Sequence, residues 1–267
     1  MYIIFSDING TIYGDKISSL QKETKNDILR TNNITDLEFI ITTSNGWFGD
    51  VKELSNLFNS KYVITDEGSF IYDCQKNEIL QSTFIDNDSL SKIIKISNEN
   101  KLLSFGWGIN KFYATNPKDK ILKKIIDLHL NSLDVNSEEF NQDSNVLSLV
   151  IAFEKGDADL YIEKLNDIDN IKATKVNNGQ IIISSKKTSK GSAAKFMLNK
   201  LNTDESKMMS IGDSFADISM LEMTDFSYSM ANSIKRVKEV AKLNTSAFDQ
   251  NGVGMAITDF IFRLKIN

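Results

Sequence analysis

Three short apolar runs, separated by stretches patterned as helices, occupy the first seventy or so residues. MYIIFSD leads into SSLQKETKNDILRTN, where Leu20, Ile28 and Leu29 recur at roughly helical spacing. LEFIITTS leads into GDVKELSNLFN, and KYVITDEG ends the series. Apolar runs without polar alternation mark strands buried on both faces. Strands joined through helices lie parallel, because a parallel pair needs a crossover connection. The expected fold class is therefore α/β, a mainly parallel sheet with helices on its faces.

After Ser69 the pattern changes. FIYDCQKNEILQSTFI reads as a hairpin, DNDSLSKIIKISNEN as a helix, and KLLSFGWGINKFYATN as two strands turning at Asn110. KDKILKKIIDLHLNSL is an amphipathic helix, NVLSLVIAFE a strand, ADLYIEKLNDI a helix, and IKATKVNNGQIIISS a hairpin with an Asn-Asn-Gly turn. From Lys190 the first pattern returns through GSAAKFMLNKL, MMSIGD, FADISMLEM, FSYSM and SIKRVKEVAKL. The expected organisation is an α/β core in two pieces, 1–83 and 187–267, interrupted by an α+β insert over 84–186.

A net charge of −5 argues against a general nucleic-acid-binding surface, leaving room for a local basic pocket. One cysteine, Cys74, forms no intramolecular disulfide and gives no sign of an oxidising compartment. No aliphatic run approaches the length of a bilayer span. The chain enters a strand at once without a leader pattern, so a cytoplasmic location is expected. Neither membrane nor nucleic-acid partners are expected, and no feature marks an oligomeric state.

Chemistry-bearing side chains fall at the ends of the expected core elements. Asp7 ends the first strand, Thr43 the second, and Asp213 the strand before SFADISML; Lys190 opens the helix after the insert. Ligands of open α/β sheets bind beyond the carboxyl ends of strands, where these four would meet. Two carboxylates suit Mg²⁺, while a lysine and a threonine hydroxyl suit phosphate oxygens. Such a set fits phosphoryl transfer, which depends on positioning and charge neutralisation. Taken singly, each has a plainer reading: Asp7 as a turn former, Asp213 and Asp217 as helix caps, Lys190 as a loop lysine and Thr43 as a strand residue.

The motifs DINGT, IITTS, SKGSAAKFML, GDSFADISML and NGVGMAI, in that order, resemble those of haloacid dehalogenase (HAD) superfamily phosphatases. The match is to the Cof-like sugar-phosphatase group with a large α+β, type IIB cap, and MANSIKRVKEVA is similar to the run that follows its fourth motif. The resemblance implies a three-layer Rossmann-like core and a phosphatase acting on a small phosphorylated metabolite, foremost a sugar phosphate. It implies Asp7 as nucleophile and Mg²⁺ held by Asp7, the Asn9 carbonyl and Asp213, with Asp217 as ligand or orienter. Thr43 and Lys190, with Ser44 and Gly10 beside them, would hold the phosphoryl oxygens, and the insert would be the cap that selects the leaving group.

Three positions depart from that pattern. Asn9 stands where the group has its acid/base Asp, Ser44-Asn45 where it has Gly-Arg, and Ala216 where it has Asn. An amide cannot deliver a proton, so Asn9 is expected to slow turnover without abolishing it. A silent protein that binds a phosphorylated ligand and a phosphomutase remain as alternative readings. Elsewhere, His129 and the lysines at 118, 120, 123 and 124 are expected on solvated helix faces. Cys74 is expected to be an inert half-buried side chain, and Phe105, Trp107, Phe112 and Tyr113 to be packing residues.

Overall fold

The computed structural model describes residues 1–116, 120, 122, 137–141, 143–153, 158–177 and 179–265. It divides into two compact units. One comprises Met1–Asn45, Asp50–Leu80 and Ser189–Asn267; the other comprises Gly46–Gly49 and Gln81–Thr188.

The first unit is built on an eight-stranded sheet. In chain order its strands are β1 (Tyr2–Ser6), β2 (Leu37–Thr42), β3 (Tyr62–Thr65), β4 (Phe70–Asp73) and β5 (Glu78–Ser82). The second unit contributes β6 (Leu103–Trp107), β7 (Phe112–Ala114), β8 (Ser137–Glu139), β9 (Ser148–Ala152), β10 (Ile171–Asn177) and β11 (Gln180–Ser185). The chain then returns to the first sheet with β12 (Met208–Gly212), β13 (Phe226–Ser229) and β14 (Leu243–Asn244).

The first sheet runs β14-β13-β12-β1-β2-β3-β4-β5. Every pairing from β14 to β3 is parallel, and β4 joins antiparallel to β3. Ile3, Ile4 and Phe5 of β1 are all fully buried, which accounts for the unbroken apolar run. Ile3 and Phe5 pack with Ala193, Ala194, Met197 and Leu198 of helix Lys190–Lys200. Tyr2, on the opposite face by strand periodicity, meets Phe260 of helix Gly252–Leu264 edge to face. That helix packs on helix Lys22–Thr31. The α/β three-layer expectation holds.

Register places the site. Ser6 pairs with Ile211 on one side and Ile41 on the other. Asp7, Thr43 and Asp213 therefore leave three adjacent parallel strands at one end of the sheet.

The second unit carries a six-stranded sheet in the order β10-β11-β9-β6-β7-β8. Its pairings are antiparallel except β7 with β8. Helices Asn87–Glu99 and Ala158–Asn166 cover one face through Leu90, Ile93, Ala158 and Leu165. The other face holds Phe105, Phe112 and Val150 with Phe48 and Leu122, and Trp107 packs against them. Tyr113 points the opposite way and stacks on Phe140. These aromatics are packing residues, as expected.

Three details differ from the sequence reading. FADISMLEM forms a 3-10 turn, Phe215–Asp217, followed by a single turn of helix, Ile218–Leu221, because Asp217 turns back on its own backbone. SIKRVKEVAKL is helical only over Lys235–Val240. Strands β8 and β14 are too short for an apolar run to mark them. Cys74 is half-buried, and its thiol lies 3.3 Å from the Ser55 hydroxyl. Lys120 is exposed, while His129, Asn178 and the lysines at 118, 123 and 124 lie outside the described residues, as does most of the helix expected around His129. Among the described residues, no helix is long and apolar enough to cross a membrane.

Candidate active site

Asp7 follows β1 and is nearly buried, its N–H donating to the Ile211 carbonyl at 3.1 Å. Lys190 reaches it from the first turn of helix Lys190–Lys200. Ser189 and Ser192 close a capping box at that helix start, fixing where the lysine emerges. Lys190 Nζ donates to Asp7 Oδ1 at 2.5 Å and to Asp217 Oδ1 at 2.6 Å, with the whole side chain buried.

Asp217 is fully committed. Its Oδ2 accepts from the Asp213 N–H, the Ser214 N–H and the Ser214 hydroxyl, at 3.0, 2.9 and 3.0 Å. Asp217 thus folds the turn that presents Asp213 while bracing Lys190. Asp213 accepts from the Thr11 hydroxyl at 3.3 Å. Gly10 lies against it with φ +76°, and a Cβ there would stand 2.4 Å from Asp213 Oδ2. Only glycine suits both the backbone conformation and the close approach.

Carboxylate oxygens of Asp7, Asp213 and Asp217 all lie within 4.8 Å of one another. Burial, with Asp217 adding to it and Lys190 opposing it, pushes Asp7 up to about 7. Burial, then Asp7 and Asp217, pushes Asp213 up to about 8. Burial disfavours the Lys190 charge, but Asp217, Asp7 and Glu67 outweigh it and hold the ammonium above its usual range. Three carboxylates against one ammonium leave negative charge in excess. That excess, in a set of hard oxygen donors, fits a divalent cation such as Mg²⁺, whose charge would remove the repulsion.

Thr43 follows β2, its N–H paired to the Ile64 carbonyl and its hydroxyl accepting from the Asn45 N–H at 3.2 Å. The neighbouring Ser44 hydroxyl donates to Glu67. Asn9 accepts from the Asn45 side chain at 2.8 Å through Oδ1, and its Nδ2 donates to the Gly14 carbonyl at 3.4 Å. Two departures from the family pattern, Asn9 and Asn45, therefore contact each other.

Sequence reading missed Thr11, Glu67 and Asn232. Glu67 is buried in the turn after β3, where Asp66, Glu67 and Gly68 all have positive φ. It lies at the carboxyl end of another parallel strand, β3, but Asp-Glu-Gly reads equally as a plain turn. Asn232 donates to the Gly10 carbonyl at 2.7 Å, giving MANSIKRVKEVA a direct part in holding the first loop. NGVGMAI serves farther off: Asn251 accepts from Thr24 and donates to Asp27, tying two helices together.

The family model of haloacid dehalogenase-like hydrolases matches residues 4–257. The chain belongs to this family. Phosphatase YwpJ of Bacillus subtilis is 25% identical over 95% of this chain and 97% of its own. The chloroplastic endoribonuclease YBEY of Arabidopsis thaliana is 24% identical over 97% of this chain, which spans 46% of that longer protein. A solved HAD subclass IIB sugar phosphatase superposes with a TM-score of 0.84 at 17% identity, covering 97% of this chain and 99% of that one. This likeness is one of fold.

Proposed function

We propose that this hydrolase is an Mg²⁺-dependent phosphatase that cleaves a small phosphorylated metabolite through a phosphorylated Asp7. The observation that carries the reading is the cluster of buried Asp7 and Asp217, both held by Lys190, with half-buried Asp213 beside them at the carboxyl end of a parallel sheet. In this reading Lys190 holds Asp7 Oδ1 and leaves Oδ2 to attack phosphorus. The bond to the leaving oxygen breaks, and water then attacks phosphorus, returning the Asp7 carboxylate and inorganic phosphate. Lys190 and the Thr43 hydroxyl steady the phosphoryl oxygens, with Gly10 and Ser44 alongside. With its hydroxyl proton given to Glu67, Ser44 would take this part through its backbone N–H.

Asp7, Asp213 and the Asn9 carbonyl would hold Mg²⁺, which supplies charge neutralisation for the phosphoryl group. We assign Asp217 the orienting part, since its four hydrogen bonds are spent on Lys190 and the 213–214 turn. Sugar phosphates, the substrates of the solved subclass IIB neighbour, are the first class to test. Substrate choice is assigned to the insert, 84–186 in sequence terms. Replacing it with a relative's insert should change preference and leave Asp7-dependent chemistry in place.

The test is phosphate release from a panel of phosphate esters, with chelator and with Mg²⁺ added back. Release that follows the metal supports the reading. Asn9 favours one rival, a silent protein that binds a phosphorylated ligand. Calorimetric binding without phosphate release, from protein with Asn9 verified, would establish that rival.

A further inference from the structure

Asn9 is two residues from the proposed nucleophile, and its amide is held at both ends. Oδ1 accepts from Asn45 Nδ2 at 2.8 Å, and Nδ2 faces the Gly14 carbonyl at 3.4 Å. A carbonyl can only accept, so these partners fix which way the amide points. The amide offers a neutral N–H and no ionisable proton.

Among the described residues, the acids near Asn9 do not replace it. Asp217 has both oxygens engaged, Glu67 accepts from Ser44, and Asp213 belongs to the proposed metal set. The Tyr13 hydroxyl is buried and donates to Asp50 at 3.4 Å.

We propose that the Asn9–Asn45 pair makes this enzyme selective for phosphoryl groups whose leaving oxygen departs as a stable anion, and that phospho-Asp7 persists between the two steps. The fastest substrates are then acyl phosphates and phosphoanhydrides, with alkyl esters, sugar phosphates among them, turned over more slowly. This rests on the phosphatase reading above. In the first step Asp7 Oδ2 bonds to phosphorus while the bond to the leaving oxygen breaks. The electron pair stays on that oxygen, which leaves as a carboxylate or phosphate without a proton. An alkoxide needs that proton, and lacking a positioned acid costs about 10²–10⁴-fold. In the second step water bonds to phosphorus, the Asp7–phosphorus bond breaks, one water proton stays on phosphate and the other passes to solvent. With no base at position 9 this step slows for every substrate, so the phosphorylated protein accumulates whenever the first step is fast.

Asn9-Gly10 is a sequence prone to deamidation, which would restore a carboxylate. The fold opposes it: the Gly10 N–H that would have to cyclise donates to the Tyr13 carbonyl at 2.7 Å. Peptide mass mapping verifies Asn9 before each assay.

The experiment mixes the full chain and Mg²⁺ with acetyl phosphate or with glucose 6-phosphate, quenches in acid, and measures phosphate on the Asp7 peptide. Expected with acetyl phosphate are a burst of acetate near one equivalent and a phosphorylated Asp7 peptide. Expected with glucose 6-phosphate is turnover about 10²-fold slower or more, with no phosphopeptide. Asn9→Asp should raise alkyl-ester turnover by about 10²-fold or more and erase the accumulated phosphopeptide. The comparison of the two donors stands on the unaltered protein even if that variant folds poorly. Equal turnover of both donors without phospho-Asp7 overturns the proposal while leaving the phosphatase reading intact. No phosphate release and no phosphopeptide from either protein overturns both.

Discussion

Lys190 and Asp7 are 183 positions apart in sequence, and their side chains meet at 2.5 Å inside the first unit. The lysine is wholly buried, so its charge persists because Asp7 and Asp217 pair with it and Glu67 adds to their field. Removing it would leave clustered carboxylates without their cation. Lys190→Met should lower unfolding free energy by about 3–5 kcal/mol in chelator, measured by denaturant titration. It should also cut phosphate release by about 10²-fold or more. A loss under about 1 kcal/mol would mean the ion pair is solvated as at a surface.

The same charge excess makes stability depend on pH in a definite direction. Asp7 at about 7 and Asp213 at about 8 lie well above their ordinary value of 3.8. A raised folded-state pKa means the folded protein binds these protons more tightly than the unfolded chain. Their contribution is therefore fullest below about pH 4 and is lost as pH rises through 7 to 8. Mg²⁺ needs the ionised carboxylates, so its stabilising effect grows over the same interval. Melting temperatures from about pH 5 to about pH 9, with chelator and with Mg²⁺, should show a gap that widens with pH. A gap that narrows would contradict the assignment.

Gly10 gives a local test of how Asp213 is placed. A methyl group there meets Asp213 Oδ2 at 2.4 Å, and the backbone holds φ +76°. Gly10→Ala should cost about 1–3 kcal/mol and weaken Mg²⁺ binding by calorimetry about tenfold or more. Gly14→Ala is the control. Its Cβ would lie 3.1 Å from the Phe248 ring, away from the carboxylates, and should leave metal affinity near its original value.

Much of this site was legible in the sequence because buried parallel strands announce themselves as apolar runs, and the residues that end them must point into the ligand end of the sheet. Asp7, Thr43 and Asp213 were found that way. Lys190 was legible as the start of the helix that restores the first pattern. The hydrogen-bonding partners were not. Asn45 is 36 positions from Asn9, and Asn232 is 222 from Gly10; such pairs are made by packing, which local pattern does not encode. Glu67 was hidden differently, since Asp-Glu-Gly reads as a turn whether or not its carboxylate faces a buried lysine. Helix ends near Asp217 differ from the local pattern because that side chain bonds its own turn and not the next helix.

The central claim is that Asp7 carries the phosphoryl chemistry, and one side-by-side assay tests it most directly. Protein with Asn9 verified and its Asp7→Asn variant are compared for Mg²⁺-dependent phosphate release across a panel running from acyl phosphates to sugar phosphates. Thermal unfolding confirms that both are folded. The account predicts measurable release by the first, fastest on acyl phosphates, and none above buffer by the variant. Release by Asp7→Asn at a comparable rate would show that another group attacks phosphorus, and the account would be wrong.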